Sequence, residues 1–215
     1  MRRWITASVV TLAVVVSFGC AGLSKVEMSA ANRAQTKTIK VRADDRLPED
    51  MYFHGRAQSL SMGLGGALGG IVGQAMAGDP KTQIAATMKG NNINLPTILQ
   101  SEFAKALQSQ RDFQAVDEKS PADAEMVLIV NLYGLGQSDG FSGLYPMINV
   151  SASLRKPDGT VIWQRTDYVT PRNKENSEQH EFGEFIERPE LLRERWSHVS
   201  GIVSRMLVRE LSPER

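Results

Sequence analysis

This chain has few cysteines and histidines, and neither charge is in clear excess. Its 215 residues include one Cys and three His, and 25 Lys and Arg face 24 Asp and Glu, for a formal net charge of +1. One Cys excludes a disulfide framework and a Cys-rich metal site. Balanced charge provides no broad basic surface for a nucleic-acid backbone. We therefore expect neither nucleic acid nor a metal ion as a ligand.

The remaining composition is typical of one folded domain. Hydrophobic residues make up 41% of the chain and charged residues 23%, which supplies a core and excludes a disordered chain. The length also fits a single domain with a short appendage.

The first 20 residues predict an exported lipoprotein. Two Arg precede a charge-free run over residues 4–18, which ends at Gly19-Cys20. This run is shorter than the ~20 residues that span a bilayer, so it is typical of a secretory signal. Gly19-Cys20 resembles the cleavage junction of bacterial lipoproteins. The resemblance implies cleavage before Cys20, lipid on its thiol and, because residue 21 is not Asp, export to the outer membrane.

Two alternatives to this interpretation are an uncleaved signal anchor and a plain secreted protein. On the preferred interpretation, residues 1–19 are a signal peptide, 20–35 a flexible lipidated tether, and 36–215 a single α/β periplasmic domain. Cleavage removes two Arg and no acid, which leaves 23 basic against 24 acidic residues and a mature charge of −1. We expect acyl chains on Cys20 to hold the protein on the membrane, and no other cofactor.

Residues 59–78 form a glycine-rich insertion in that domain. They include seven of the 18 Gly and no charged residue. A small residue recurs every fourth position, which on a helix gives a ridge that permits close backbone packing; these residues are Gly65, Gly69, Gly73 and Ala77. Each Gly costs a helix about 1 kcal/mol relative to Ala, so such a helix needs a close partner or lipid. The segment is a flexible insertion, a membrane helix, or a zipper against a second copy or a partner.

The rest of the domain predicts an α/β (α+β) two-layer sandwich, with a mixed sheet and two helices on one face. Residues 126–130 are continuously apolar, as expected of a central strand. Pro157-Asp158-Gly159 joins two alternating segments into a hairpin. Other strands are predicted at 36–42 and 112–116, and helices at 96–108 and 189–211. Residues 79–94 are polar and are interpreted as loop in part, and residues 170–188 are interpreted as the longest polar connection after the tether.

This order of elements resembles that of small outer-membrane lipoproteins of the YajG type. More loosely, it is similar to periplasmic lipoprotein subunits that accompany transporters. The resemblance spans about residues 94–211. It rests on the helix LPTILQSEFAKALQ, on the segment ADAEMVLIV, in which a strand follows an Ala-Asp pair, on the hairpin RKPDGTVIW and on the closing helix. It implies the α+β fold and an accessory role in the cell envelope, and it does not include the glycine-rich insertion.

Residues 136–140 match G-x-S-x-G, the pattern of a hydrolase nucleophile elbow. An elbow serine heads a helix, whereas the residues after Ser138 are typical of a loop. The three His are too far apart in sequence for a local metal site, and the glycines of 63–73 lack the spacing of a nucleotide-binding loop. We therefore expect no catalytic set and no small-molecule substrate.

Two features are candidates for partner contact. Phe141, Leu144 and Tyr145 lie in a Gly-rich loop and either contact a partner or cap the core. A Glu recurs every third residue from 175 to 187, either as a solvated face or as a docking strip. The sequence thus indicates a non-enzymatic, lipid-anchored accessory protein that binds an envelope component. The alternative is a lipoprotein that self-assembles or inserts into the membrane through residues 59–78.

Overall fold

The computed structural model describes residues 25–55 and 79–212. The signal peptide, Cys20 and the small residues Gly65, Gly69, Gly73 and Ala77 lie outside these ranges. The strands are β1 (Thr38–Ala43), β2 (Tyr52–His54), β3 (Gln114–Val116), β4 (Ala124–Gly136), β5 (Tyr145–Arg155) and β6 (Val161–Val169). The helices are α1 (Ala30–Gln35), α2 (Pro80–Gly90), α3 (Leu95–Gln108), α4 (Phe182–Glu187) and α5 (Pro189–Leu211).

The six strands form one mixed sheet in the order β3-β1-β4-β5-β6, and β2 pairs separately with β4. β1 and β2 run parallel to β4 and follow one another along the same edge of it. β4, β5 and β6 are antiparallel. This confirms the predicted α+β class, the central strand and the hairpin.

The core lies between one face of the sheet and helices α3 and α5. Alternate residues of β4 and β5 are buried there, among them Met126, Leu128, Ile148 and Val150. α5 contributes Trp196, which is fully buried and meets the ring of Tyr133 at 6.1 Å between centroids. Burial of each such side chain stabilises the fold by about 1.5–3 kcal/mol. The apolar stripe predicted for the closing helix is therefore part of the core.

Two helices occur where the sequence predicted loops. Asp79 is the N-cap of α2, and its carboxylate accepts the Thr82 N–H at 3.2 Å. Pro80 occupies the first turn of the helix. Only Ile84 and Met88 of this helix are buried. Two apolar residues are too few to give a helical pattern that the sequence analysis could recognise. α4 lies in the polar connection and buries Phe182 and Phe185. The loop interpretation is wrong for these two segments.

The tether prediction for 20–35 is wrong for residues 25–35. The N–H and C=O of Val26 pair with the backbone of Gln164 on β6 at 3.1 and 3.0 Å. Ser29 then caps α1 by accepting the Asn32 N–H at 3.2 Å. One bridge on a sheet edge and a six-residue helix produce no periodic pattern, so the composition alone suggested a spacer.

Asp123 joins this incoming segment to the central strand. Its Oδ2 accepts the N–H groups of Thr38 and Lys37, both at 2.8 Å, and the Thr38 hydroxyl at 3.0 Å. These hydrogen bonds, with that of the Thr38 N–H foremost, lower the pKa of the Asp123 carboxyl. Asp123 belongs to the Ala-Asp pair of the sequence, and the structure gives it the role of fastening β1 to β4.

We name the two ends of the sheet from the central strand. The proximal end, where the chain enters, comprises the start of β4 at Ala124 and the β5–β6 turn at 156–160. The distal end comprises Gly136, β2 and the loop 137–144. Because β4 has 13 residues, the two ends are about 40 Å apart at ~3.3 Å per residue.

We predict that Gly134→Ala destabilises the distal end. A Cβ at residue 134 would lie 1.9 Å from the carbonyl oxygen of Tyr52, so β2 must move away from β4. We expect a loss of about 1–3 kcal/mol in the free energy of unfolding, measured by chemical denaturation. Gly90→Ala is the matched control, because a Cβ there meets nothing within 4 Å in helix α2 and should stabilise by up to ~1 kcal/mol. An equal effect of both substitutions would contradict the close approach.

Candidate functional site

The face of the sheet opposite the core is largely polar, and we call it the open face. Its residues alternate with the core residues along each strand. They include Lys40 and Arg42 on β1, Glu125, Val127 and Ile129 on β4, Asn149, Ser151, Ser153 and Arg155 on β5, and Gln164, Thr166 and Tyr168 on β6. None of these residues belongs to the hydrophobic core cluster. Val127, Ser151 and Ser153 on this face are buried, so the other residues of the open face are the candidates for contact with another molecule.

A row of hydrogen-bonded side chains crosses the middle of the open face. The Asn131 amide donates to Asn149 Oδ1 at 2.7 Å and to Ser151 Oγ at 2.6 Å, and the Ser151 and Thr166 hydroxyls lie 2.9 Å apart. The register of β4 against β5 shifts between Val130 and Leu132, so Asn131 is the extra residue of a bulge. Bulges re-aim side chains and are common beside functional sites.

Exposed apolar side chains flank this polar row. Ile129 pairs with Ser151 and is 36% exposed, and Tyr168 pairs with Asn149 and is 57% exposed. Aromatic rings beside fixed amides give both apolar area and directed hydrogen bonding, a combination common in protein interfaces. We call Ile129, Asn131, Asn149 and Tyr168 the distal contact surface.

Sequence reasoning did not single out the distal contact surface. The sequence predicts Tyr168 in the second strand of the hairpin and does not predict its face. Tyr168 is five residues from the fully buried Trp163, an odd separation that places the two on opposite faces of a strand. This odd separation was a sequence signal that Tyr168 faces away from the core. No sequence signal indicated the bulge that presents Asn131.

The loop 137–144 is a hydrogen-bonded turn that presents one aromatic ring. Asp139 Oδ1 accepts the N–H groups of Phe141 and Ser142, both at 2.8 Å. Phe141 is 91% exposed, whereas Leu144 and Tyr145 are buried. Of the three residues predicted as a partner contact, only Phe141 lies at the surface, and Leu144 belongs to the core cluster. The burial of Leu144 and Tyr145 favours the alternative interpretation, in which these two residues cap the core.

Ser138 lies in this turn and heads no helix. Its hydroxyl bonds to Asp139 Oδ2 at 3.3 Å. The His180 ring lies 3.6 Å from Glu184 and edge-on to Phe185, and within residues 25–55 and 79–212 no hydrogen bond joins Ser138 to a histidine. The same ranges contain no group of three His, Cys, Asp or Glu able to hold a metal ion.

The periodic Glu residues of 175–187 are partly used within the fold. Glu175 pairs with Arg205 and Glu178 with the buried Arg195, both on α5. His198 Nε2 also contacts the Glu175 carbonyl oxygen at 2.8 Å. These contacts fasten the connection between β6 and α5 to the last helix, which reduces the charge available for a docking strip.

Arg165 holds the incoming chain against the domain at the edge of β6. Its guanidinium donates to the Val26 carbonyl at 2.9 Å, pairs with Glu210 of α5 at 2.7 Å and lies 3.4 Å from Glu27. Its side chain is 10% exposed and lies 5.9 Å from the centre of the Trp163 ring. We call Arg165, Val26, Glu27 and Glu210 the N-terminal clamp. It fixes the point at which the chain enters the domain.

Comparisons with known proteins identify no family. No protein-family model and no curated protein matches the chain. Three solved structures to which it is similar are a Xanthomonas campestris protein of family DUF330, a PelC dodecamer from Paraburkholderia phytofirmans, and a minor lipoprotein from Acinetobacter baumannii.

Their sequence identities, in the same order, are 14%, 13% and 12%, and the TM-scores are 0.43, 0.43 and 0.36. The matches cover 86%, 89% and 82% of this chain and 88%, 97% and 91% of the other. Bacterial lipoproteins are thus among the similar structures. Likeness at these scores assigns neither a shared function nor the YajG type, which stays a prediction.

In residues 25–55 and 79–212, no helix is both long enough and apolar enough to cross a bilayer.

We predict that Arg165→Ala loosens the N-terminal clamp. The substitution removes a shielded cation and leaves Glu210 and the Val26 carbonyl without this donor, so we expect a loss of about 2 kcal/mol in the free energy of unfolding. Arg46→Ala is the control, because its side chain is 85% exposed and, within the described ranges, forms an ion pair with Asp44 alone, which is worth under ~1 kcal/mol. Denaturation and amide exchange at Val26 measure both effects. Unchanged exchange at Val26 in Arg165→Ala would contradict the clamp.

Proposed function

We propose that this protein is a non-enzymatic accessory lipoprotein, anchored through Cys20 to the periplasmic side of the outer membrane, that binds another envelope protein. The observation that carries the proposal is the distal contact surface. A ring that is 57% exposed and an apolar side chain lie beside amides held in place by their own hydrogen bonds. These groups lie on the face of a sheet and provide an open contact surface rather than an enclosed pocket. An open surface suits a protein partner better than a small ligand.

The clamp supports this arrangement because it shortens the link to the membrane. Lys25, where the described chain begins, is five residues after Cys20, and this stretch of chain reaches at most ~18 Å. The proximal end is thereby kept close to the lipid anchor. The distal contact surface lies about midway along the ~40 Å strand, and Phe141 follows its far end. Both are beyond the proximal end, where a partner can reach them.

The alternative function is self-assembly or membrane insertion through residues 59–78. This segment lies outside the described residues, but the elements on either side of it are known. β2 pairs with the distal end of β4, and α2 packs against β2, α4 and α5. Both boundaries therefore belong to the distal end, away from the proposed anchor. This position favours self-assembly over insertion into the bilayer that holds Cys20.

We predict that Cys20→Ala releases the protein from the membrane fraction, because the acyl chains supply most of the membrane affinity. Fractionation of cells measures the effect. Ser24→Ala is the matched control, since it alters a neighbouring small residue and keeps the thiol. If the Cys20→Ala protein stays in the membrane fraction, the anchor is not at Cys20, and residues 59–78 become the candidate membrane contact.

We predict that a photo-reactive group at position 168 in cells captures one envelope protein. The same group at position 161 is the control, because Val161 lies on the same strand at the proximal end and is 36% exposed. Adducts identified by mass should form from 168 and not from 161. A ladder of the chain with itself would support self-assembly instead, and equal yields of foreign adducts from both positions would contradict the distal contact surface.

A further inference from the structure

The proximal end of the open face carries a group of basic side chains. Lys40, Glu125 and Arg155 lie side by side across β1, β4 and β5, and Lys156 follows in the turn. Together with Ala122, Ala124, Pro157 and Gly159 they line a cleft of about 390 Å³. Arg42, two residues beyond Lys40, pairs with Glu125 at 3.0 Å. We call Lys40, Arg42, Arg155 and Lys156 the proximal basic patch.

In the described part of the chain, three of the four cations of this patch form no ion pair, namely Lys40, Arg155 and Lys156. Glu125 is paired with Arg42. Arg155 donates to the Ser153 hydroxyl at 3.2 Å, which leaves its charge in place. Across the described ranges, neither Lys40, Arg155 nor Lys156 lies within 4.0 Å of a carboxylate oxygen. Two further carboxylates lie near the patch and keep their negative charge. Asp123 accepts from Lys37 and Thr38, and Asp158 accepts from Thr160 and interacts electrostatically with Lys156.

The chain enters the domain at the same end of the sheet. Val26 pairs with Gln164, which pairs in turn with Ser153, two residues before Arg155. Adjacent strands are about 4.8 Å apart, so the patch begins within two strands of the entry point. Val26 is six residues after Cys20, and this stretch of chain spans at most ~22 Å. A bilayer that holds Cys20 is thus within reach of the patch.

We propose that the proximal basic patch binds the anionic headgroups of the membrane to which the protein is anchored. This inference rests on the lipid anchor of the proposed function. With a mature charge of −1, the chain as a whole gains nothing from an anionic surface, so the patch orients a protein that the acyl chains already hold. Each cation near an anionic leaflet contributes about fivefold to binding. The patch turns the proximal end to the lipid and leaves the distal contact surface facing the periplasm.

The orientation can be measured by energy transfer on the lipidated protein. Cys20 is the only Cys and carries the lipid in this proposal, so one introduced Cys is the only free thiol. Thr160→Cys labels the proximal turn and Ser177→Cys labels the distal end, both at exposed positions. Each labelled protein is placed in phosphatidylcholine vesicles with or without 30% phosphatidylglycerol, with an acceptor on the headgroups. We expect strong transfer from 160 and weak transfer from 177 on the anionic vesicles.

Charge variants separate the patch from the anchor. Lys40→Ala with Lys156→Ala should reduce the equilibrium constant for the bound orientation about 25-fold, at fivefold per cation, and bring transfer from 160 down to its value on pure phosphatidylcholine. Arg172→Ala with Lys174→Ala removes the same charge from exposed distal positions and should change nothing.

Flotation of the vesicles distinguishes the two proposals. Protein that does not float with either vesicle contradicts the anchor, and the patch proposal falls with it. Protein that floats but shows transfer from 160 independent of phosphatidylglycerol and of the two lysines contradicts the patch proposal alone. That result would leave an acidic protein as the ligand of these cations.

Discussion

The pairing of β4 on both of its edges is the constraint on which the rest of the structure depends. β5 covers one edge over nearly the whole strand, while β1 and then β2 cover the other. Core residues fall on even positions up to Val130 and on odd positions from Tyr133, because the bulge at Asn131 shifts the alternation. The same extra residue that changes the core register also brings an amide to the open face. Packing and surface chemistry therefore share one local irregularity.

The length of β4 separates two surfaces of different chemistry. Toward its start the open face is basic, beside the point where the chain enters. Toward its end the exposed groups are apolar and amide side chains, with Tyr168 and Phe141 the most exposed large hydrophobic residues in the described ranges. Headgroup binding needs charge, whereas a protein interface needs area and fixed hydrogen bonds. Glu125 in the basic patch and Ile129 and Asn131 in the contact surface are about 13–20 Å apart along β4 at ~3.3 Å per residue. This separation suits a protein that is held at one end and binds farther along the sheet.

Many of the charges that the sequence offers for recognition stabilise the fold instead. Arg195 and Arg165 are 7% and 10% exposed in their side chains and pair with Glu178 and Glu210. Removing one member of such a shielded pair is costly because the other charge is left without compensation. The acidic repeat of the last connection is therefore largely a fastening of that connection to α5. The unpaired cations of the proximal patch stand out against this background of paired charges.

The sequence by itself determined the fold class, the central strand, the hairpin and the two long helices, because each has a periodic pattern long enough to rise above composition. It also located the candidate anchor at Cys20. Only the tertiary structure decided that residues 25–35 dock on the domain, that residues 80–90 and 182–187 are helical, and that Leu144 is buried while Tyr168 is exposed. Each of these depends on contacts between residues far apart in the chain, such as Val26 with Gln164. A single bridge, a sparse helical stripe or a bulge carries too little local signal to be read before the chain is folded.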